Sequence, residues 1–312
     1  MDINRYSPSY AITRKHMTNL ADFSTEEIFE LLYATKQMKA KFVAHESTAI
    51  LNGTTVALLF GDTSLRTRSA LEIGVRQLGG EIINLQYSEQ DMRAGENIRD
   101  VVNVIYRYGV GALVTRGIPQ SELDSFTEVS PISVINSTNS DYVPMQAVSD
   151  LFTIWEKKKK LEGLKIAYIG KSTNAATSLI TGAVKCGMEV SVATPAEFAL
   201  DKAHMRKIEQ YGSVTITDDA FFAAKNADII YTDSYHYHSL ITKEEAEALA
   251  PYKVNNRLMA AANGTAIFMH PLPARRGVEV STDVIDGKNS VVYDQAENKL
   301  HAIKAILTLL IK

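Results

Sequence analysis

The chain has 312 residues, beyond the usual ~100 to 200 of one domain, so two domains are expected. With 46% hydrophobic and 22% charged residues it has the balance of a soluble globular protein, not a disordered or fibrous one. The 33 basic and 36 acidic side chains leave a formal charge of -3, too even to mark nucleic acid or an acidic membrane as partner, so any anion site must be local. No run approaches the ~18 apolar residues of a membrane span, and the N-terminus lacks the apolar core of a signal peptide. A single cysteine, Cys186, inside a helical pattern, permits neither an internal disulfide nor a multi-cysteine metal site; a reducing, cytoplasmic setting is expected.

Along the chain, Ser24 and Glu27 form a capping box, with Phe23 and Ile28 as its hydrophobic staple. Ile28, Leu31, Leu32, Thr35 and Met38 then recur at three- and four-residue spacing, predicting a structural helix. From residue 54 short apolar runs alternate with helical patterns: strand 54–60, helix 67–78, strand 81–85, helix 97–108 and strand 112–115. A second series of strands is predicted at 165–169, 188–193, 213–217, 227–232 and 266–269. Alternation of this kind predicts α/β architecture: two parallel-sheet, three-layer domains sharing a cleft. The join falls near 146–163, where a helical stretch ends in Lys157–Lys160, read as a solvated helix end. The last segment, with Leu300, Ile303, Leu307 and Leu310 on one face, is expected to return to the first domain.

The most informative stretch is FGDTSLRTRSALEIGVRQLGG, residues 60–80, where a strand runs into a helix through Ser64, Leu65, Arg66, Thr67 and Arg68. Free N–H groups and the dipole at a helix N-terminus favour an anion, hydroxyls add donors, and Arg66 can add a bidentate grip. The same residues also fit a plain Ser64 cap with both arginines in solvent. Gly170-Lys171-Ser172 is not a phosphate loop, because the upstream glycine would fall at Lys165. His236 and His238 lack a nearby Cys or carboxylate at ligand spacing, so they are read as loop histidines. No dinucleotide glycine fingerprint follows any strand.

Ser64-Leu65-Arg66-Thr67-Arg68 resembles the S-T-R-T-R carbamoyl phosphate motif of the aspartate and ornithine transcarbamylases. Further elements follow in the family's order: Thr115-Arg116-Gly117; Val143-Pro144-Met145-Gln146 leading into Asp150; residues 170–179 with Asn174; residues 227–233 ending in Asp233; His270-Pro271-Leu272-Pro273; and residues 294–301 with Lys299. The chain thus looks like a divergent member, closer to the ornithine branch.

The resemblance implies a carbamoyl-phosphate-type domain over 1–147, a second-substrate domain over 148–293 and a C-terminal helix, 294–312, packing on the first. It implies that Ser64, Leu65, Thr67 and Lys299 line the phosphate and carbamoyl pocket, with Arg66 and Arg116 as catalytic groups and Gln146 binding the carbamoyl NH2. Asn174 and Asp233 would face an amine or amino acid, and His270, Pro271 and Leu272 would be further substrate-binding positions. No metal or organic cofactor is expected, since preorganised donors suffice for carbamoyl transfer. A homotrimer is implied, with residues 86–97, including Arg93, reaching the neighbouring subunit.

Four departures shape the expected activity. Leu65 stands where the family has threonine, Val143 where it has histidine, and no Ser-Met-Gly segment follows Asp233, where Tyr235, His236, Tyr237 and His238 stand instead. Lys299 also replaces an arginine, keeping charge but losing the planar fork. The expectation is therefore a carbamoyltransferase acting on an amine other than ornithine or aspartate. The alternative is a catalytically altered member that binds a phosphorylated metabolite.

Overall fold

The computed structural model describes residues 3, 6, 12–86, 97–235 and 241–311. The chain divides into two compact units, Ile3–Phe152 with Asn298–Lys312, and Thr153–Glu297. Both cuts fall within helices, Pro144–Lys158 and Val292–Leu310, a few residues beyond the expected boundaries.

In the first unit, helix α1 (Thr25–Val43) starts on the expected capping box, with Ser24 and Glu27 bonded reciprocally. It is followed by β1 (Thr55–Phe60), α2 (Leu65–Gln77), β2 (Glu81–Gln86), α3 (Ile98–Arg107), β3 (Val110–Arg116), α4 (Gln120–Val129), β4 (Ser133–Thr138) and α5 (Pro144–Lys158). Its four strands are all parallel, in the order β2-β1-β3-β4. Ala57, Leu59, Val102, Leu113, Phe126 and Val134 share its core. Strands β1 and β3 are nearly continuous buried apolar runs, as parallel strands covered on both faces must be. The alternation read from the sequence passed over α4 and β4. Strand β4, SVINST, buries Ser133 and Asn136 instead of an apolar run. The Ser133 hydroxyl donates to the Leu310 carbonyl at 2.6 Å and the Asn136 NH2 to the Thr18 carbonyl at 3.0 Å.

The second unit holds β5 (Lys165–Ile169), α6 (Asn174–Lys185), β6 (Glu189–Ala193), β7 (Val214–Thr217), β8 (Ile229–Tyr231) and β9 (Ile267–Met269). These strands too are all parallel, in the order β7-β6-β5-β8-β9. Ala167, Ile169, Ala193, Ile230 and Phe268 anchor its core. Cys186 caps the end of α6 and is buried, which pushes its thiol up to about 12. No helix among the described residues is long and apolar enough to cross a membrane.

The C-terminal helix, Val292–Leu310, lies against α2. A Cβ on Gly74 would meet Leu300, Ile303 and Lys304 side chains at 3.4 to 3.5 Å, ordinary contact distance. A Cβ on Gly111 would meet Thr54 at 2.7 Å, inside it. Gly74→Ala should therefore stabilise the protein by about 0.5 to 1 kcal/mol, the helix-propensity gain. Gly111→Ala should destabilise it; urea unfolding midpoints of the two variants check both signs.

Candidate active site

In the first unit the site begins where β1 hands the chain to α2. Ser64 is the N-cap, extended at φ -152° and ψ 106°, and its hydroxyl accepts the Thr67 N–H at 3.4 Å. Leu65 opens the helix with its side chain 81% exposed, whereas Thr67 is buried. The Thr67 hydroxyl in turn accepts from Lys299 Nζ at 3.1 Å, so the C-terminal helix delivers an ammonium to the start of α2. Burial, then the nearby Arg116 and Arg66 guanidiniums, push Lys299 down to about 8, with Asp150 opposing.

Strand β3 brings in Arg116. Its pairing with β1 sets Phe60 opposite Arg116, and Arg116 Nε lies 2.5 Å from Asp62 Oδ1. Helix α5 contributes Gln146 and Asp150, one turn apart and both buried, the Gln146 amide donating to the Asp150 carboxylate at 2.7 Å. Val143 lies just ahead of that helix, its carbonyl accepting from the Gln146 and Ala147 N–H groups at 3.1 and 3.2 Å. Arg68, by contrast, turns to Asn84 at 2.5 Å and stacks over Phe60. The structure therefore brings Ser64, Arg66, Thr67, Arg116, Gln146 and Lys299 into one electropositive cluster.

In the second unit the expected residues gather at the C-terminal ends of β5, β8 and β9, where ligands meet parallel sheets. Gly170 ends β5 at φ +111°, and a Cβ there would fall 2.6 Å from the Tyr235 ring, so glycine is required for both reasons. Thr173 caps α6 and donates its hydroxyl to Asp233 Oδ2 at 2.7 Å, which ties Asp233 to the turn bearing Asn174. Asp233 is buried, and its Oδ1 also accepts the Ser234 N–H at 2.7 Å. Asn174 Oδ1 accepts from the Ala175 N–H at 2.9 Å.

Beyond β9, His270 has no exposed surface. Its Nδ1 accepts the Leu272 N–H at 2.9 Å and its Nε2 lies 3.4 Å from Oε1 of the equally buried Glu279. That carboxylate also accepts the Arg275 N–H at 2.5 Å. With Nδ1 an acceptor, the proton of a neutral imidazole sits on Nε2, facing Glu279. The imidazole thus shapes the Pro271–Leu272 turn, where Leu272 is held at φ +55°, and both turn residues stay partly exposed.

Asp62, Asp150 and Glu279 were not singled out from the sequence. Asp62 stands within the informative stretch, but its partner lies on another strand, and no periodicity joins the two. Residues 87–96, with Arg93, and His236, Tyr237 and His238 lie outside the described residues. Among the described residues no three His, Cys, Asp or Glu side chains gather to hold a metal ion.

Comparison with known proteins agrees with this layout. Residues 15–156 match the aspartate/ornithine carbamoyltransferase carbamoyl-P binding domain, and residues 162–310 match the Asp/Orn binding domain of the same family. The ornithine carbamoyltransferase of Halalkalibacterium halodurans is 38% identical over 305 residues, 95% of each chain. That of Methanococcus aeolicus is 39% identical over 300 residues, 93% of this chain and 97% of its own. The solved ornithine carbamoyltransferase of Pyrococcus furiosus superposes with a TM-score of 0.91 at 36% identity, covering 97% of this chain and 98% of that one.

These relatives overturn the expectation of an acceptor other than ornithine or aspartate: proteins similar over nearly the whole length are ornithine carbamoyltransferases. The expectation gave a few local departures, Leu65, Val143 and the missing Ser-Met-Gly, more weight than the frame that carries them. The chain belongs to the aspartate/ornithine carbamoyltransferase family.

Proposed function

We propose that the protein transfers the carbamoyl group of carbamoyl phosphate to the side-chain amine of ornithine, releasing phosphate. The observation that carries this reading is the convergence of Arg66, Arg116 and Lys299 at the N-terminus of α2, in a chain similar end to end to ornithine carbamoyltransferases.

In this reading the leaving phosphate sits at the α2 N-terminus. There the helix dipole, Ser64, Thr67, Lys299 and a bidentate Arg66 favour a dianion. Arg116 polarises the carbamoyl oxygen as charge develops on it. Gln146, whose NH2 is held by Asp150, offers its amide oxygen to the carbamoyl NH2. Leu65 and Val143 bring no hydroxyl or imidazole to the carbonyl, which leaves Arg116 more of that work. On the acceptor side, Asp233 takes an ammonium and Asn174 a carboxylate, while His270 sets the Pro271–Leu272 turn that borders the amine. The reading extends to a homotrimer in the cytoplasm. The exposed Ile73 of α2 and Ile83 of the edge strand β2 supply an apolar surface that another copy can cover.

Incubation with carbamoyl phosphate and ornithine should give a ureido product and phosphate in equal amounts. Arg66→Ala should weaken inorganic phosphate binding about 10- to 100-fold, the loss of a charge-assisted contact. No product with ornithine defeats the proposal. Lys299 supplies a pH signature. It is charged below its folded value of about 8 and neutral above it, so phosphate affinity should be highest below pH 8 and fall as pH rises through it. Lys299→Met should flatten that profile in calorimetric titrations. Light scattering should give the mass of three chains; a monomeric mass would refute the assembly.

A further inference from the structure

Lys299 brings to the donor side a group with reactivity of its own, a primary amine. It hangs from the C-terminal helix beside the start of α2, its Nζ 3.1 Å from the Thr67 hydroxyl. The charged groups that face it are Arg66 on α2, Arg116 at the end of β3 and Asp150 on α5, and the Asp150 carboxylate already takes the Gln146 amide. On its own helix the preceding residue, Asn298, accepts from Lys39 of α1 at 2.8 Å, which fixes that turn of helix from the other side. Thr67 is buried, whereas Lys299 is half-buried, so a small molecule can reach the amine.

Charge decides what this amine can do. Two guanidiniums against one carboxylate work with burial to push the proton off Nζ. An amine held down to about 8 is neutral in about a tenth of molecules at pH 7, against less than about one in a thousand for a solvated lysine. A guanidinium at this position would stay charged at any working pH and could not act as a nucleophile; the neutral amine can.

We propose that Lys299 is a carbamoylation site: when carbamoyl phosphate is bound and no acceptor is present, its Nζ takes the carbamoyl group that ornithine would take. This rests on the reading that the α2 N-terminus holds the donor's phosphate, since the carbonyl bonded to that phosphate then lies within reach of the amine. The neutral amine attacks the carbonyl carbon, an N–C bond forms, the C–O bond to phosphate breaks, and the amine's proton leaves with the phosphate. The product is a side-chain urea without charge. The bound phosphate draws a proton back onto the amine, so the reaction is slow beside transfer to ornithine. The pocket, one cation poorer, then holds the next donor more weakly, so donor supplied without acceptor silences the site.

Wild-type protein incubated with carbamoyl phosphate alone, then digested for mass spectrometry, should carry the carbamoyl group on Lys299 at least about tenfold ahead of the exposed Lys160. Inorganic phosphate in excess should suppress the label on Lys299 and spare that on Lys160. Activity toward ornithine should fall in step with the label, and Lys299→Arg should keep its activity through the same exposure. Equal labelling of Lys299 and Lys160, in protein that does carbamoylate ornithine, overturns the inference alone. So does cyanate, at the concentration that donor breakdown releases, if it labels Lys299 as fast as the donor does. Protein that neither binds inorganic phosphate nor carbamoylates ornithine overturns the donor-site reading and this inference together.

Discussion

The parallel pairing of β1 with β3 is the constraint from which the donor half of the site follows. Because Phe60 sits opposite Arg116, the turn that starts α2 and the end of β3 are forced together. A helix N-terminus with its unpaired N–H groups then opens beside a guanidinium. The C-terminal helix completes the arrangement by carrying Lys299 to Thr67. Like charges so close are held apart in energy by burial and mutual repulsion, which is why Lys299 is pushed down toward neutrality. A cluster that resists its own charge is one prepared for an anion.

The acceptor half is built differently. Here carboxylates are held by hydroxyl and backbone donors, Asp233 by Thr173 and Ser234, Glu279 by Arg275. The two units thus present opposite chemistry from one kind of scaffold, the C-terminal edge of a parallel sheet. Buried carboxylates with fixed donors change position little on binding, so their geometry is set before a substrate arrives.

Much of this was legible in the sequence, for a physical reason. Strands covered on both faces must be continuous apolar runs, so β1, β3, β5 and β6 announce themselves, and the Ser64 to Arg68 stretch shows its hydroxyls and guanidiniums at a helix start. Strand β4 escaped because its buried serine and asparagine donate to distant carbonyls, which no local pattern reveals. The Asp62–Arg116 pair escaped for the same reason, since it joins two strands far apart in sequence. The acceptor was misjudged because missing side chains at single positions are visible in a sequence, whereas the frame that tolerates them is not. His270 is buried and accepts the Leu272 N–H, a bond inside the motif that its sequence alone does not reveal.

The first unit is assembled from the beginning and the end of the chain, with Asn298 onward filling the groove beside Gly74 and Ser133. On the ribosome, therefore, Phe152 emerges on the order of ten seconds before the segment that closes its own unit. During that interval α2 lacks the Leu300 and Ile303 side chains that cover Gly74, and Thr67 lacks Lys299. The second unit, whose described residues form one unbroken stretch, is synthesised in full before that segment. The unit begun first is thus finished last, and the nascent first unit must stay soluble while it waits for its last helix.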